Sequence, residues 1–201
     1  MNATTPVRRS NAERSEQMRA RLAQAAYEVI AERGHSAFRT AAVVQHAGVS
    51  QGALLHHFPT KEAMTLAAIE YALQRSNQAS AERIAAVGTE ARTVLDAMID
   101  DFRDFFMGDR FWVALDITMD AAKDTSIAPE IRRIVERERQ PVYDQWRSCL
   151  ARCGWSGARA GEIVTMTSAL ISGYAIRGLW DADSRALDKA LQGWRAFIGT
   201  P

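Results

Sequence analysis

Cysteine is scarce: Cys149 and Cys153 are the only two in 201 residues, so no disulfide framework holds the chain and a reducing compartment suits it. Spaced four apart around Leu150, they read as the buried face of a helix. A redox pair would want a cationic setting, and only Arg147 and Arg152 stand near. No run of about eighteen apolar residues occurs, and no charged-then-apolar leader is seen, which argues against a membrane span or a secretory signal and for a cytoplasmic protein. Glycine-rich phosphate loops, nucleophile elbows and clustered His/Cys/carboxylate ligands are missing as well. The sequence therefore predicts no catalytic residue, no metal and no cofactor, and an enzyme lacks the constellation it would need. Strand alternation, Gly/Ser linkers and repeats are also wanting, which leaves an all-α chain.

What the chain has instead is apolar residues at helical spacing, and with 47% hydrophobic content it can bury a substantial core. Residues 1–11 are polar and aperiodic and read as a flexible tail, in which Arg8 and Arg9 either reach toward nucleic acid or are simply solvated. From Ala12 to Arg33, Met18, Leu22, Ala25, Ala26, Val29 and Ile30 share a face, and Gly34 ends the helix. Later helices are predicted over 61–87, 89–107, 109–124, 129–153, 156–180 and 183–198. Pro129 suits a first turn, Pro141 is expected to kink its helix, and a tight acidic turn joins the last pair. Two short helices between Arg39 and Phe58 bring the total to about nine, with no flexible hinge.

The net charge of +1 conceals an asymmetry. Residues 1–61 carry eight Lys/Arg against four acids, and residues 62–201 carry seventeen against twenty. All four histidines lie in the first part. A basic amino-terminal module on an acidic body suits a nucleic-acid contact at one end, and is also what an ordinary solvated surface presents.

The stretch 39–64 concentrates the information. Thr40 is placed to cap a short helix whose apolar face is Val43, Val44 and Ala47; Gly48 fits the sharp turn after it, and Ser50 caps a second helix, Gln51 to His57. In that helix Leu54 faces inward while Gln51, His56 and His57 face out, leaving short polar groups and backbone outermost, as a major-groove reader needs. Phe58 anchors its exit, Pro59 stops it, Thr60 caps the next helix, and Lys61 puts a cation where a flanking phosphate would run. Adjacent histidines on a helix diverge by about 100°, so His56 and His57 make a poor metal pair, and His35 and His46 have no ligand spacing around them.

Thr40, Ala47-Gly48-Val49-Ser50, Gly52-Ala53-Leu54, His57-Phe58 and Lys61-Glu62 resemble, without a gap, the amino-terminal pattern of the TetR family of one-component regulators. Two positions depart from it. Leu55 stands where the family usually has a phosphate-contacting Tyr, and Val44 stands where it favours Ala, which would widen the crossing of the two helices. The resemblance implies an amino-terminal three-helix helix-turn-helix DNA-binding domain over 12–60, with its reader at 39–58, and a carboxy-terminal helical ligand-binding and dimerisation domain over 61–201. It implies double-stranded operator DNA, a small-molecule effector and a homodimer as partners, and no membrane.

On that footing Arg39, Thr40, Ser50, Gln51, Gly52, His56, His57 and Lys61 are the predicted DNA contacts, and Ile163, Leu170, Tyr174, Leu187, Leu191 and Trp194 the predicted dimer interface. Phe102, Phe106, Trp112, Asp116, Met119, Trp146 and Tyr174 are the predicted ligand site. Two readings of Asp116 stay open: an acid partly exposed or paired with a nearby arginine such as Arg103 or Arg177, or a carboxylate that complements a cationic or hydrogen-bond-donating group of a ligand in a mostly apolar cavity. The function expected is a ligand-released repressor on a palindromic operator. A helical binding or protein-interaction module with altered DNA binding is the alternative, and Leu55 is its best argument.

Overall fold

The computed structural model describes residues 10–122, 127–180, 183 and 185–201, and these hold nine α-helices and no strand. The first, α1 (Asn11–Arg33), starts on a reciprocal cap: the Ser10 hydroxyl accepts from the Glu13 N–H at 3.1 Å, and the Glu13 carboxylate accepts from the Ser10 N–H at 2.7 Å. Asn11 is thus the first residue of the helix and Ser10 its cap, although composition sets both apart from it. Arg8 and Arg9 lie outside the described residues.

Two short helices follow, α2 (Thr40–Ala47) and α3 (Gln51–His57). They pack on α1 through Leu22, Ala26, Val29, Phe38, Val43, Leu54 and Phe58, all but sealed from solvent. Thr60 caps α4 (Lys61–Ala86) by accepting from the Ala63 N–H at 3.1 Å. This helix runs from the reader into the body without a break and touches α1, α6 and α7. The domain boundary is therefore a change of neighbours along one helix, with no linker.

The body continues with α5 (Ala91–Phe106), α6 (Asp109–Ala121), α7 (Ala128–Arg152), α8 (Gly157–Arg177) and α9 (Ala186–Ile198). Glu90, one residue past the predicted start, caps α5 by accepting from the Arg92 and Thr93 N–H groups at 2.9 and 2.6 Å. α7 runs unbroken through Pro141, which supplies no N–H to the Arg137 carbonyl. The end predicted for α6 at Asp124, and most of the acidic turn before α9, lie outside the described residues. Phe102, Met98, Ile99, Trp146, Leu150, Ile163 and Ile171 fill the centre. There Asp101 is buried yet satisfied, accepting from the Trp146 indole and the Ser80 hydroxyl, each at 2.8 Å.

Candidate nucleic-acid interface and effector cavity

The reader is built by local chemistry. Gly48 adopts φ 61°, the left-handed conformation that lets α2 end and the chain turn within two residues. Ser50 then accepts from the Ala53 N–H at 3.2 Å and starts α3. Leu54 and Phe58 are fully buried at either end of the last turn, so α3 is held rigidly with its other face outward. Gln51, Gly52, Leu55 and His56 are exposed on that face, and His57 is half-buried with its ring edge-on to His56 at 5.1 Å. A Gln amide there can bond an adenine edge bidentately, and Gly52 lets the backbone come close to the groove.

Three predicted contacts have work within the chain. Arg39, not Thr40, occupies the N-cap of α2 in an extended conformation without a side-chain cap, and Thr40 is already helical and half-buried. The Arg39 guanidinium donates Nη1 to the Ser36 and Phe38 carbonyls at 3.1 and 2.9 Å, which fastens it to its own loop. Lys61 is half-buried with Nζ 5.8 Å from the centre of the Phe38 ring.

Sequence reading missed what α1 brings. Arg19 lies 4.5 Å over the Phe58 ring and donates Nη1 to the His57 carbonyl at 3.1 Å. Arg21 donates to the Ala47 carbonyl, placing a cation at the carboxyl end of α2, where the helix dipole favours it. Glu28 meets His46 at 2.7 Å. The arginines sit on the polar side of a plainly amphipathic helix, but only the docking of α1 on α2 and α3 says which of them reach the reader.

In the body, α4, α5, α6 and α7 line a half-open cavity of about 470 Å3, within the usual span of small-molecule sites. Leu73, Phe105, Phe106, Phe111, Tyr143 and Arg139 are among its lining residues. Of the seven residues predicted from sequence, Phe106 alone lines it. Phe102 is sealed behind the wall, edge-on to Tyr143 at 5.5 Å, and Trp146 is fully buried with its indole spent on Asp101. Met119 is 62% exposed, and Tyr174 is on α8, outside the lining.

Trp112 and Asp116 border a different groove, beside Gly34. Asp116 accepts the His35 N–H at 2.6 Å, and one turn later Asp120 meets His35 Nδ1 at 2.7 Å, while His35 Nε2 stands 3.2 Å from the Thr65 hydroxyl. Asp116 is thus the partly exposed acid of the first reading, bonded to backbone and to neither Arg103 nor Arg177, and it ties α6 to the loop after α1; the second reading is corrected, since it stands outside the apolar cavity. Arg103 is bonded to Asp188 at 2.8 Å.

The last two helices divide their apolar residues. Ile163, Leu187 and Leu191 are buried within the subunit, which corrects their assignment to an outer face; α8 and α9 use them to pack on each other and on the body. Leu170, Tyr174 and Trp194 are half-buried, and Met166, Leu179, Trp180 and Phe197 are exposed, Trp180 by 72% and Phe197 by 67%. Trp194 stacks on Phe197 at 5.5 Å and donates its indole N–H to the Thr167 hydroxyl at 2.8 Å.

Elsewhere the chemistry is quiet. Cys149 is buried and accepts from Arg152, and burial pushes the Cys153 thiol up from its ordinary value, which disfavours its thiolate. Among the described residues no three His, Cys, Asp or Glu side chains gather as a metal site, and no helix is long and apolar enough to cross a membrane.

Comparison with known proteins agrees with this geometry. A family model described as bacterial regulatory proteins, tetR family, matches residues 22–68. The HTH-type transcriptional regulator CymR of Pseudomonas putida is 36% identical over 185 residues, which is 92% of this chain and 91% of that one. Among solved structures, a transcriptional regulator from Saccharomonospora viridis in complex with choline superposes with a TM-score of 0.68 at 20% identity, covering 91% of this chain and 96% of that one. The multidrug binding protein EbrR, complexed with imidazole, does so with a TM-score of 0.62 at 17% identity over 99% of both chains.

Proposed function

The chain belongs to the TetR family of bacterial regulatory proteins, and from that membership we propose that it is a cytoplasmic homodimeric repressor, released from a palindromic operator by a small molecule held in its body. The observation that carries this reading is α3: a rigidly anchored helix with Gln51, Gly52 and His56 on its open face, continuous through α4 with a body that holds an apolar cavity. In a dimer, two such helices can meet successive major grooves, so operator symmetry mirrors protein symmetry. A ligand that favours the conformation with the wrong reader spacing lowers DNA affinity by its differential binding to the two states.

The exposed apolar strip of Met166, Leu179, Trp180 and Phe197 supports α8 and α9 as the dimerisation surface. Leu55, exposed by 47%, supports the rival reading of a binding module with altered DNA recognition. Selection of genomic fragments by the purified protein decides between them. The regulator reading expects a few promoter fragments sharing an inverted repeat; recovery of only sequence-independent, salt-labile fragments would sink it.

A further inference from the structure

Arg139 is the one charged side chain of the cavity wall that is buried, at 3% exposure. Arg132 and Glu136, which also border the cavity, are exposed. The Arg139 guanidinium is only partly provided for. Its face lies 3.9 Å from the centre of the Phe105 ring and 5.4 Å from that of Tyr143, and Nη1 donates to the Asn77 side-chain oxygen at 3.2 Å. Nε and Nη2 are buried and have no hydrogen-bond partner among the described residues.

An aromatic face attracts the charge but accepts no in-plane N–H. The two donors left over are the ones that point to the same side of the guanidinium plane, the side-on fork that matches both oxygens of a carboxylate. A folded protein rarely leaves such a pair unmet, since the desolvation cost is then uncompensated. A Met or Leu would serve better at this position if packing alone were needed.

We infer that the effector is a small organic monocarboxylate with an aromatic or branched apolar body, its carboxylate seated on Nε and Nη2 of Arg139 and its body against Phe105, Phe106, Phe111 and Leu73. One buried cation neutralises one negative charge, and the two other charged residues at the cavity, Arg132 and Glu136, are exposed and of opposite sign. A single negative charge on an apolar body is thus favoured, and amines face a like charge at Arg139. The inference rests on the reading of the body as an effector domain and names the chemistry of that same cavity.

The test is calorimetry on the full-length protein without DNA, using benzoate, phenylacetate and octanoate, each beside its primary amide and the corresponding amine. At least one acid should bind roughly tenfold or more tighter than its amide, as expected for a charge-assisted pair in an apolar site. Amines should not bind. Arg139→Met should abolish the preference for the acid while leaving the unliganded melting temperature unchanged or higher, because an incompletely paired cation has been removed.

Equal affinity for acid and amide, preference for amine, or no binding by any acid of the panel overturns the inference. The comparison of acid with amide in the unaltered protein decides the matter even where Arg139→Met fails to fold. Operator release is measured separately. Carboxylate binding with no effect on DNA supports the inference and sinks the repressor mechanism, whereas release by amides or amines alone overturns the inference and leaves that mechanism standing.

Discussion

Gln51, Lys61 and Asp116 are three residues whose surroundings assign them different work. Gln51 is exposed at the start of α3 and its side chain has no hydrogen-bond partner among the described residues, so Gln51→Ala should relax base preference at one operator position, at a cost of about 1–3 kcal/mol for the preferred base only. Lys61 sits beside the reader on the Phe38 ring, and Lys61→Ala should weaken all sequences alike and lower the salt slope by about one unit. Binding isotherms at several salt concentrations check both, and parental affinities for the two variants would refute the assignment. Asp116 serves the join between reader and body. Its bond to the His35 N–H predicts that Asp116→Ala destabilises the protein by about 1.5–3 kcal/mol in denaturant melts, with carboxylate affinity at Arg139 retained.

Among the elements, α8 and α9 separate two effects that look alike in sequence. Leu191 is buried against the body, so Leu191→Asp should unfold the subunit by placing an unpaired charge in its core. Phe197→Asp falls on the exposed strip and should leave a folded monomer, seen as helical circular dichroism with half the sedimenting mass. A dimer that survives Phe197→Asp would place the interface elsewhere.

The docking of α9 also has an acid limit. Asp96 of α5 accepts from Arg195 of α9 at 2.6 Å and from Arg92 at 3.1 Å. Burial alone would raise its carboxyl, but the hydrogen bonds from Arg195 and Arg92 outweigh that and hold it below the usual aspartate range. A depressed carboxyl contributes stability that is present above its unfolded pKa and is lost as pH falls through the folded value, hence below about pH 4. Melting curves from pH 7 to 3 should show this loss, and Asp96→Asn should remove that share of it.

At the scale of the whole molecule, the cavity and the reader meet through few pieces. α4 lends Leu73 to the cavity and Met64 to the core beneath the reader, and α6 lends Phe111 to the cavity and Asp116 and Asp120 to His35. A ligand that displaces α6 or the wall of α4 therefore acts on both ends of rigid rods. Linkage makes the effect reciprocal: the factor by which a saturating ligand weakens operator binding must equal the factor by which operator weakens ligand binding. Titrations run in both directions should agree, and a factor of one in both would mean that the ligand does not act on operator binding.

The sequence by itself determined everything that is local. Helix positions follow from apolar spacing, the turn at Gly48 from the one residue at ease with its φ, and the starts of α3 and α4 from Ser50 and Thr60, because capping and periodicity involve neighbours within a turn. Even so, the α2 cap passed to Arg39, since Thr40 was drawn into the helix. What only the tertiary structure decided is which side of each helix faces what. Trp146, Phe102 and Leu191 are apolar and so could line a cavity, a core or an interface; packing made all three core. Arg139 left a legible trace, a cation in the apolar register of α7 between Ile131, Val135, Val142 and Trp146, but its meaning depended on Phe105, Asn77 and the other residues lining the cavity, brought together from three other helices. Such contacts join residues far apart in the chain, and no local spacing encodes them.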